Sequence, residues 1–332
     1  MARDAIGVLG AGSWGTALAI LLARNGHEVV LWGHNEAHMT ALDRARCNAH
    51  YLPGQRFPED LLATPDLARV CARTQNFLIA VPSSALRSLL RALCPLLGGS
   101  AQFAQASKGM EPATGLRLSE VALEEFGSPR PWVAVAGPTF AREVALGLPT
   151  ALTAACTDRD RADHVARWLR NDRVRVYTTT DVVGVETGGA VKNVLAIAAG
   201  ISDGLGFGAN ARAALVTRGL RELTRLGVAL GGQPETFMGL SGLGDLVLTC
   251  TDDTSRNRQV GLAIGRGQSL GQSLEALGQV AEGVGAAAAV TKLARRVGIE
   301  MPIAEQVYAV LYEQRSPAEA VQTLLRRGAR AE

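Results

Sequence analysis

The stretch "AIGVLGAGSWGTALAILLARNGHEVVLW", residues 5–32, sets the architecture of the N-terminal half. Ala5–Leu9 reads as a buried strand. Trp14–Asn25, with "ALAILLA" at its heart, reads as a helix, and Glu28–Trp32 as a second strand. Between the first strand and the helix stands Gly10-Ala11-Gly12-Ser13-Trp14-Gly15, a G-x-G-x-x-G in the strand–turn–helix context that lets it hold a dinucleotide. Gly10 permits the tight turn, and Gly12 lets the backbone approach a pyrophosphate. Gly15 lets helix and strand pack closely, while the helix N-terminus faces the anion. An NAD-selective site usually carries Asp or Glu about 20 residues past the glycines, bonded to the ribose 2′-hydroxyl. Here Gly33 and His34 stand instead. No carboxylate repels a 2′-phosphate and His34 can donate to one, so NADP is expected beside NAD. The alternative is an exposed turn histidine that touches no cofactor.

Further along the chain, "NFLIAVP" (76–82), "AQFAQAS" (101–107) and "WVAVAGP" (132–138) read as strands, each followed by a helical segment. "TALTAAC" (150–156) and "VRVYTTT" (174–180) complete the set. Alternating strands and helices predict a parallel sheet covered on both faces. After about residue 180 strand-like runs nearly vanish. Long Ala/Leu/Gly/Arg stretches at 182–202, 210–230 and 284–297 predict helices. The expected fold class is α/β: a Rossmann-type parallel-sheet domain at 1–180, then an all-helical domain at 181–332.

Composition narrows the partners. The 332 residues are 47% apolar and 20% charged, with a net charge of only +3. No basic run is interleaved with aromatics, so no nucleic acid is expected. No uninterrupted apolar run reaches about 18 residues, so no membrane insertion is expected. The N-terminus shows no basic leader or cleavage site, which predicts a cytoplasmic protein without a signal peptide. The five cysteines (47, 71, 94, 156, 250) contain no C-x-x-C and read as reduced thiols. His34 and His38 are spaced i,i+4, but the glutamate is misplaced for a zincin pattern and no third ligand follows, so no metal is expected.

Of the 34 basic residues only three are lysine: Lys108, Lys192 and Lys292. Lys192 lies within "TGGAVKNVLAIAAGI" (187–201), an otherwise apolar helix. Arginine keeps its proton in proteins, whereas lysine loses one when buried or near other cations. Reducing a carbonyl needs a hydride at carbon and a proton at oxygen, and an ammonium beside that oxygen polarises it and delivers the proton. The alternative is a lysine snorkelling from an interface.

Lys108 follows a strand, where ligands of parallel sheets gather. "AGPTFARE" (136–143) likewise follows a strand, and its Gly137-Pro138-Thr139 turn offers amides and a hydroxyl. Solvated loop chemistry is the alternative for both. In "SGLGDLVLTCTDDTSRNRQVG" (241–261), Thr254-Ser255 reads as an N-cap region with Arg256 and Asn257 in the first helical turn. Amides, a hydroxyl and a guanidinium at a helix start form a phosphate site. Asp245, after a Gly-rich turn, can bind a substrate hydroxyl or orient Lys192. A capped helix after a loop is the plain alternative for this stretch.

With these pieces placed, the chain resembles the bacterial-type NAD(P)-dependent glycerol-3-phosphate dehydrogenase family. "GAGSWGTALA", "NAHYLPG", "ASKGME", "AGPTFA", "VETGGAVKNVLAIAAGISDGLGFGANARAAL" and "SGLGDLVLTCTDDTSRN" match in order, and "VAEGVG" (280–285) extends them. The resemblance implies interconversion of dihydroxyacetone phosphate, a phosphorylated triose, and sn-glycerol 3-phosphate for glycerophospholipid synthesis, by a homodimer using NADP or NAD. It implies Lys192 as general acid/base, with Lys108, Gly137, Thr139 and Asp245 at the substrate together with Ser255, Arg256 and Asn257. Beyond the glycines, it implies Ser13, Trp14, His34, Lys108, Ala141, Arg256, Val280 and Glu282 at the cofactor. Family members often have Thr and Lys where this chain has Ala286 and Ala288. Competing expectations are another Rossmann hydroxyacid dehydrogenase, or a non-catalytic NADPH-binding sensor.

Overall fold

The computed structural model describes residues 3–326. The chain divides into two compact units. One runs to Ser107 and from Ser119 to Val182; the other comprises Lys108–Leu118 and the residues from Val183 on.

The first unit is built on an eight-stranded sheet: β1 (Ala5–Leu9), β2 (Glu28–Trp32), β3 (Leu61–Thr64), β4 (Asn76–Ile79), β5 (Gln102–Gln105), β6 (Trp132–Ala136), β7 (Thr150–Ala155) and β8 (Val174–Thr179). Their spatial order is β3-β2-β1-β4-β5-β6-β7-β8. β1 pairs in parallel with both β2 and β4, so the strand order reverses at the glycine loop that follows β1. Strand β3 was not expected. Its apolar run Leu61-Leu62-Ala63 carries no β-branched or aromatic residue, unlike the equally short β4 and β5, and pairing with β2 supplies the support. The sheet is parallel as expected except at one pair: β7 runs antiparallel to β6. Between them lies only the six-residue helix Ala141–Leu146, about 9 Å long. That cannot run back along a strand of about 20 Å. Gly147, left-handed at φ 75°, turns the chain directly into β7.

The second unit is helical. At its centre is Val182–Gly204, the lysine helix. By length and mean hydropathy (1.3) it passes for a membrane span, but 83% of its apolar window is buried inside the structure. A helix apolar on all sides fits the middle of a core. It meets the helix Arg256–Gly265 backbone to backbone: a Cβ at Gly200 would lie 2.1 Å from the Arg258 carbonyl oxygen. Lys108–Leu118 joins this unit as a short hairpin-like segment, closed by a bridge between Met110 and Arg117. All five cysteines are free thiols.

Candidate active site

The three glycines of the loop do different work. Gly10 sits at φ 124°, and a Cβ there would lie 2.5 Å from the Ala80 carbonyl oxygen. One at Gly15 would lie 1.8 Å from the Gly10 carbonyl oxygen. Both are demanded by the protein's own packing. At Gly12, the N-cap of the helix Ser13–Arg24, a Cβ would meet nothing within 4 Å. The open space at a helix N-terminus is what a pyrophosphate needs, so the loop fits a dinucleotide. Ser13 opens the helix, and the Trp14 indole donates to the Ala106 carbonyl at 3.0 Å. His34 follows β2 and is exposed. A sequence reading assigned no role to Asn48 of "NAHYLPG". It is fully buried and donates to the Ala11 carbonyl (2.9 Å) and the Thr16 hydroxyl (2.8 Å), which pins the loop.

Gly137, Thr139 and Ala141 belong to the same unit as the glycine loop. Gly137 sits at φ 150° against Leu152 and the Ala151 carbonyl, and the Thr139 hydroxyl donates to the Gly137 carbonyl at 3.2 Å. Ala141 packs partly buried on the core around the sheet.

In the helical unit, distant residues converge on one carboxylate. Asp245 is completely buried. Its Oδ1 accepts from Lys192 Nζ at 2.5 Å and its Oδ2 from Lys108 Nζ at 2.8 Å. Lys192 Nζ also donates to the Thr249 hydroxyl at 2.9 Å, and that hydroxyl donates to the Asp245 carbonyl. Asp245 and Thr249 lie i,i+4 on the helix Asp245–Thr251 and so share a face. That spacing is the sequence signal by which Thr249 was open to discovery. Burial lowers the Lys192 ammonium to about 7; the Asp245 charge opposes this and the Lys108 charge adds to it. Two ammoniums share one carboxylate, so the centre carries an excess positive charge.

The helix Arg256–Gly265 starts as the sequence predicts. Ser255 is its N-cap, accepting from the Arg258 amide at 3.3 Å. Arg256 contacts the Gln279 side-chain oxygen at 3.4 Å, and burial lowers its guanidinium while Glu282 opposes. Arg258, by contrast, is tied to Asp203 (2.6 Å) and Asp253. Asn257 donates to the Asn193 side-chain oxygen at 2.9 Å and accepts from the Gly283 amide at 2.9 Å. Asn193, beside Lys192, thereby links the lysine helix to the start of the helix Arg256–Gly265. Glu282 begins the helix Glu282–Arg296, and Val280 just before it is exposed. Ala286 is buried in the helical core and Ala288 is half-buried.

The structure therefore joins Lys108, Lys192 and Asp245 directly, with Ser255, Arg256, Asn257 and Glu282 in the same unit. The glycine loop, His34, Gly137, Thr139 and Ala141 lie in the other.

Comparison with known proteins points the same way. Residues 5–162 match the family model described as NAD-dependent glycerol-3-phosphate dehydrogenase N-terminus, and residues 181–322 match its C-terminus counterpart. Glycerol-3-phosphate dehydrogenase [NAD(P)+] of Pseudoalteromonas translucida (strain TAC 125) is 53% identical over 332 residues, covering 100% of this chain and 99% of that one. The protein of the same name from Thioalkalivibrio sulfidiphilus (strain HL-EbGR7) is 53% identical, covering 100% of both. The crystal structure of glycerol-3-phosphate dehydrogenase from Coxiella burnetii superposes with a TM-score of 0.95 at 45% identity, covering 98% of this chain and 99% of that one. With both halves matched and relatives aligned end to end, this chain belongs to the NAD-dependent glycerol-3-phosphate dehydrogenase family.

Proposed function

We propose that the protein interconverts dihydroxyacetone phosphate and sn-glycerol 3-phosphate with NADPH or NADH, and that Lys192 gives and takes the proton. The observation that carries this reading is the buried Lys192–Asp245–Lys108 array, in which a lysine lowered to about 7 has its proton available near neutral pH.

The nicotinamide cofactor supplies a hydride for reduction and accepts one for oxidation. Its pyrophosphate suits the open Gly12 cradle between Gly10 and Gly15. Ser13 and Trp14 are assigned to the cofactor on the family resemblance, and His34, exposed just after β2, to its ribose 2′ group. The remaining steps belong to side chains. In reduction, the Lys192 ammonium donates to the substrate carbonyl oxygen as negative charge develops there. Asp245 and Thr249 hold the nitrogen in place, and the second ammonium, Lys108, offsets the growing charge. The neutral amine left behind is favoured by burial and by Lys108, and takes up a proton for the next cycle. In oxidation the same amine removes the hydroxyl proton. The helix start at Ser255-Arg256-Asn257 holds the substrate phosphate, with Ser255 free to donate its hydroxyl proton while its oxygen caps the helix. Gly137 and Thr139 are assigned to substrate, and Ala141, Arg256, Val280 and Glu282 to cofactor, on the family resemblance.

In this reading residues 1–180 handle the nucleotide, and 181–332 handle the proton chemistry together with Lys108. The same resemblance supports a homodimer that supplies glycerophospholipid synthesis, while the composition supports a cytoplasmic protein without nucleic acid or membrane insertion. Absorbance at 340 nm tests the reaction. NADPH or NADH is expected to be consumed with dihydroxyacetone phosphate and not with unphosphorylated keto acids. The reverse preference favours a hydroxyacid dehydrogenase, and tight NADPH binding without any turnover favours a sensor.

A further inference from the structure

We propose that Lys108–Leu118 is a strap that positions the proton-transfer centre, and that Met110, Gly115 and Arg117 are the positioning residues that hold Lys108 on Asp245. The inference rests on the proposed role of Lys192 and adds to it how the second ammonium is kept in place.

The segment is folded on itself. Met110 bridges Arg117, the Glu111 amide donates to the Leu116 carbonyl (2.9 Å), and the Gly115 amide donates to the Glu111 carbonyl (2.8 Å). The Thr114 hydroxyl donates to the Glu111 carboxylate at 2.5 Å. It is then anchored to separate parts of the helical unit. Met110 is completely buried in the helical core. Arg117 pairs with Glu186 at 3.7 Å, with the two side chains 16% and 2% exposed. Glu186 stands on the lysine helix itself. Lys292, on the helix Glu282–Arg296, donates to the Ala113 carbonyl at 3.0 Å. Gly115 lies against the same helix: at φ 73°, a Cβ there would stand 3.2 Å from the Ala289 carbonyl oxygen. Lys108 is two residues from the Met110 plug, and its long flexible stem reaches Asp245 from a base fixed on these sides.

The consequence is electrostatic. Lys108 occupies one oxygen of Asp245 and Lys192 the other, so loosening the strap removes a like charge from beside Lys192 and frees its carboxylate partner. Among the described residues, Asp245 and Lys108 are the charged groups facing Lys192. The Cys250 thiol nearby, pushed up to about 12 by burial, stays neutral across the relevant range.

The chain has only three lysines, so protein labelled with 13C at lysine Cε reports each one directly. In the wild type one resonance is expected to titrate near pH 7. In Arg117→Ala, and separately in Gly115→Ala, that resonance is expected to move up by about one pH unit. The alkaline limb of kcat/KM for reduction should move with it. Glu222→Gln, which perturbs another helix start in the same unit, should leave both where they are. A resonance unmoved in both strap variants, or moved equally by Glu222→Gln, overturns the strap. Wild-type protein that never oxidises NADPH or NADH with dihydroxyacetone phosphate sinks the proposed reaction instead, and the titration still decides the strap.

Discussion

The Asn257 side chain donates to Asn193 over 2.9 Å, and through that bond the start of the helix Arg256–Gly265 is tied to the residue beside Lys192. Its oxygen accepts from the Gly283 amide, so one buried amide joins three helices. Asn257→Ala strands both partners in a buried place. Each stranded group costs about 1–3 kcal/mol. The expected result is a clearly lower Tm together with a raised KM for dihydroxyacetone phosphate. A variant with native Tm and native KM would show the link to be idle.

Lys192→Arg keeps the charge but removes a group able to surrender its proton. Turnover is expected to fall roughly 10²–10⁴-fold while cofactor binding persists. Stopped-flow kinetics with fluorescence titration of NADPH separates the two, and near-wild-type turnover would remove Lys192 from the chemistry.

The direction of the reaction should respond to pH in opposite senses. With Lys192 as the proposed acid and base, reduction is expected to slow as pH rises through about 7 and the ammonium is lost, and oxidation to quicken over the same window as the neutral amine forms. An ordinary lysine would place this crossing near 10.5. Initial rates in both directions from pH 6 to 9 provide the check, and flat profiles would contradict the lowered ammonium.

Gly12 and Gly15 should separate binding from folding. Gly12→Val fills open space, so the protein folds with native Tm while its dinucleotide affinity drops by about tenfold or more. Gly15→Val drives a side chain into the Gly10 carbonyl and is expected to yield little folded protein. Circular dichroism and NADPH titration of the pair read the contrast. Equal folding defects would count against an open cradle.

Glu222 gives stability its own pH dependence. Its carboxylate accepts from the Ile303 (2.8 Å) and Ala304 (3.3 Å) amides, yet burial dominates and pushes it from 4.5 up to about 7. The folded state then holds the proton more tightly than the unfolded state. The stabilisation is full below about 4.5 and is lost as pH rises from there to about 7. Between pH 5 and 8 the wild type should lose about 1–3 kcal/mol relative to Glu222→Gln. Parallel melting curves for the two proteins across that range would refute it.

The glycine loop, the lysine in an apolar helix and the Ser255 cap were legible in the chain because each depends on neighbours within a few residues. Gly10, Gly12 and Gly15 are spaced by the turn they make, and Ser255 caps an amide three residues away. Strand β3 and the reversal of β7 were not legible, since Leu61-Leu62-Ala63 carries no residue that favours strand over helix and a six-residue helix takes its direction from the sheet it joins. Thr249 was missed although it stands i,i+4 from Asp245, because that spacing gains its meaning only when Lys192 is brought to the same helix face, and Asn48 because an asparagine carries no signal of burial in a single sequence.

Local spacing alone was enough to establish a dinucleotide-binding sheet followed by helices, and to mark Lys192 as a proton-exchanging candidate. Its environment came from elsewhere: Asp245 lies 53 residues from Lys192 and 137 from Lys108 along the chain. A lysine's proton affinity depends on burial and on charges within a few ångströms. Those distances exist only once the chain has closed around them.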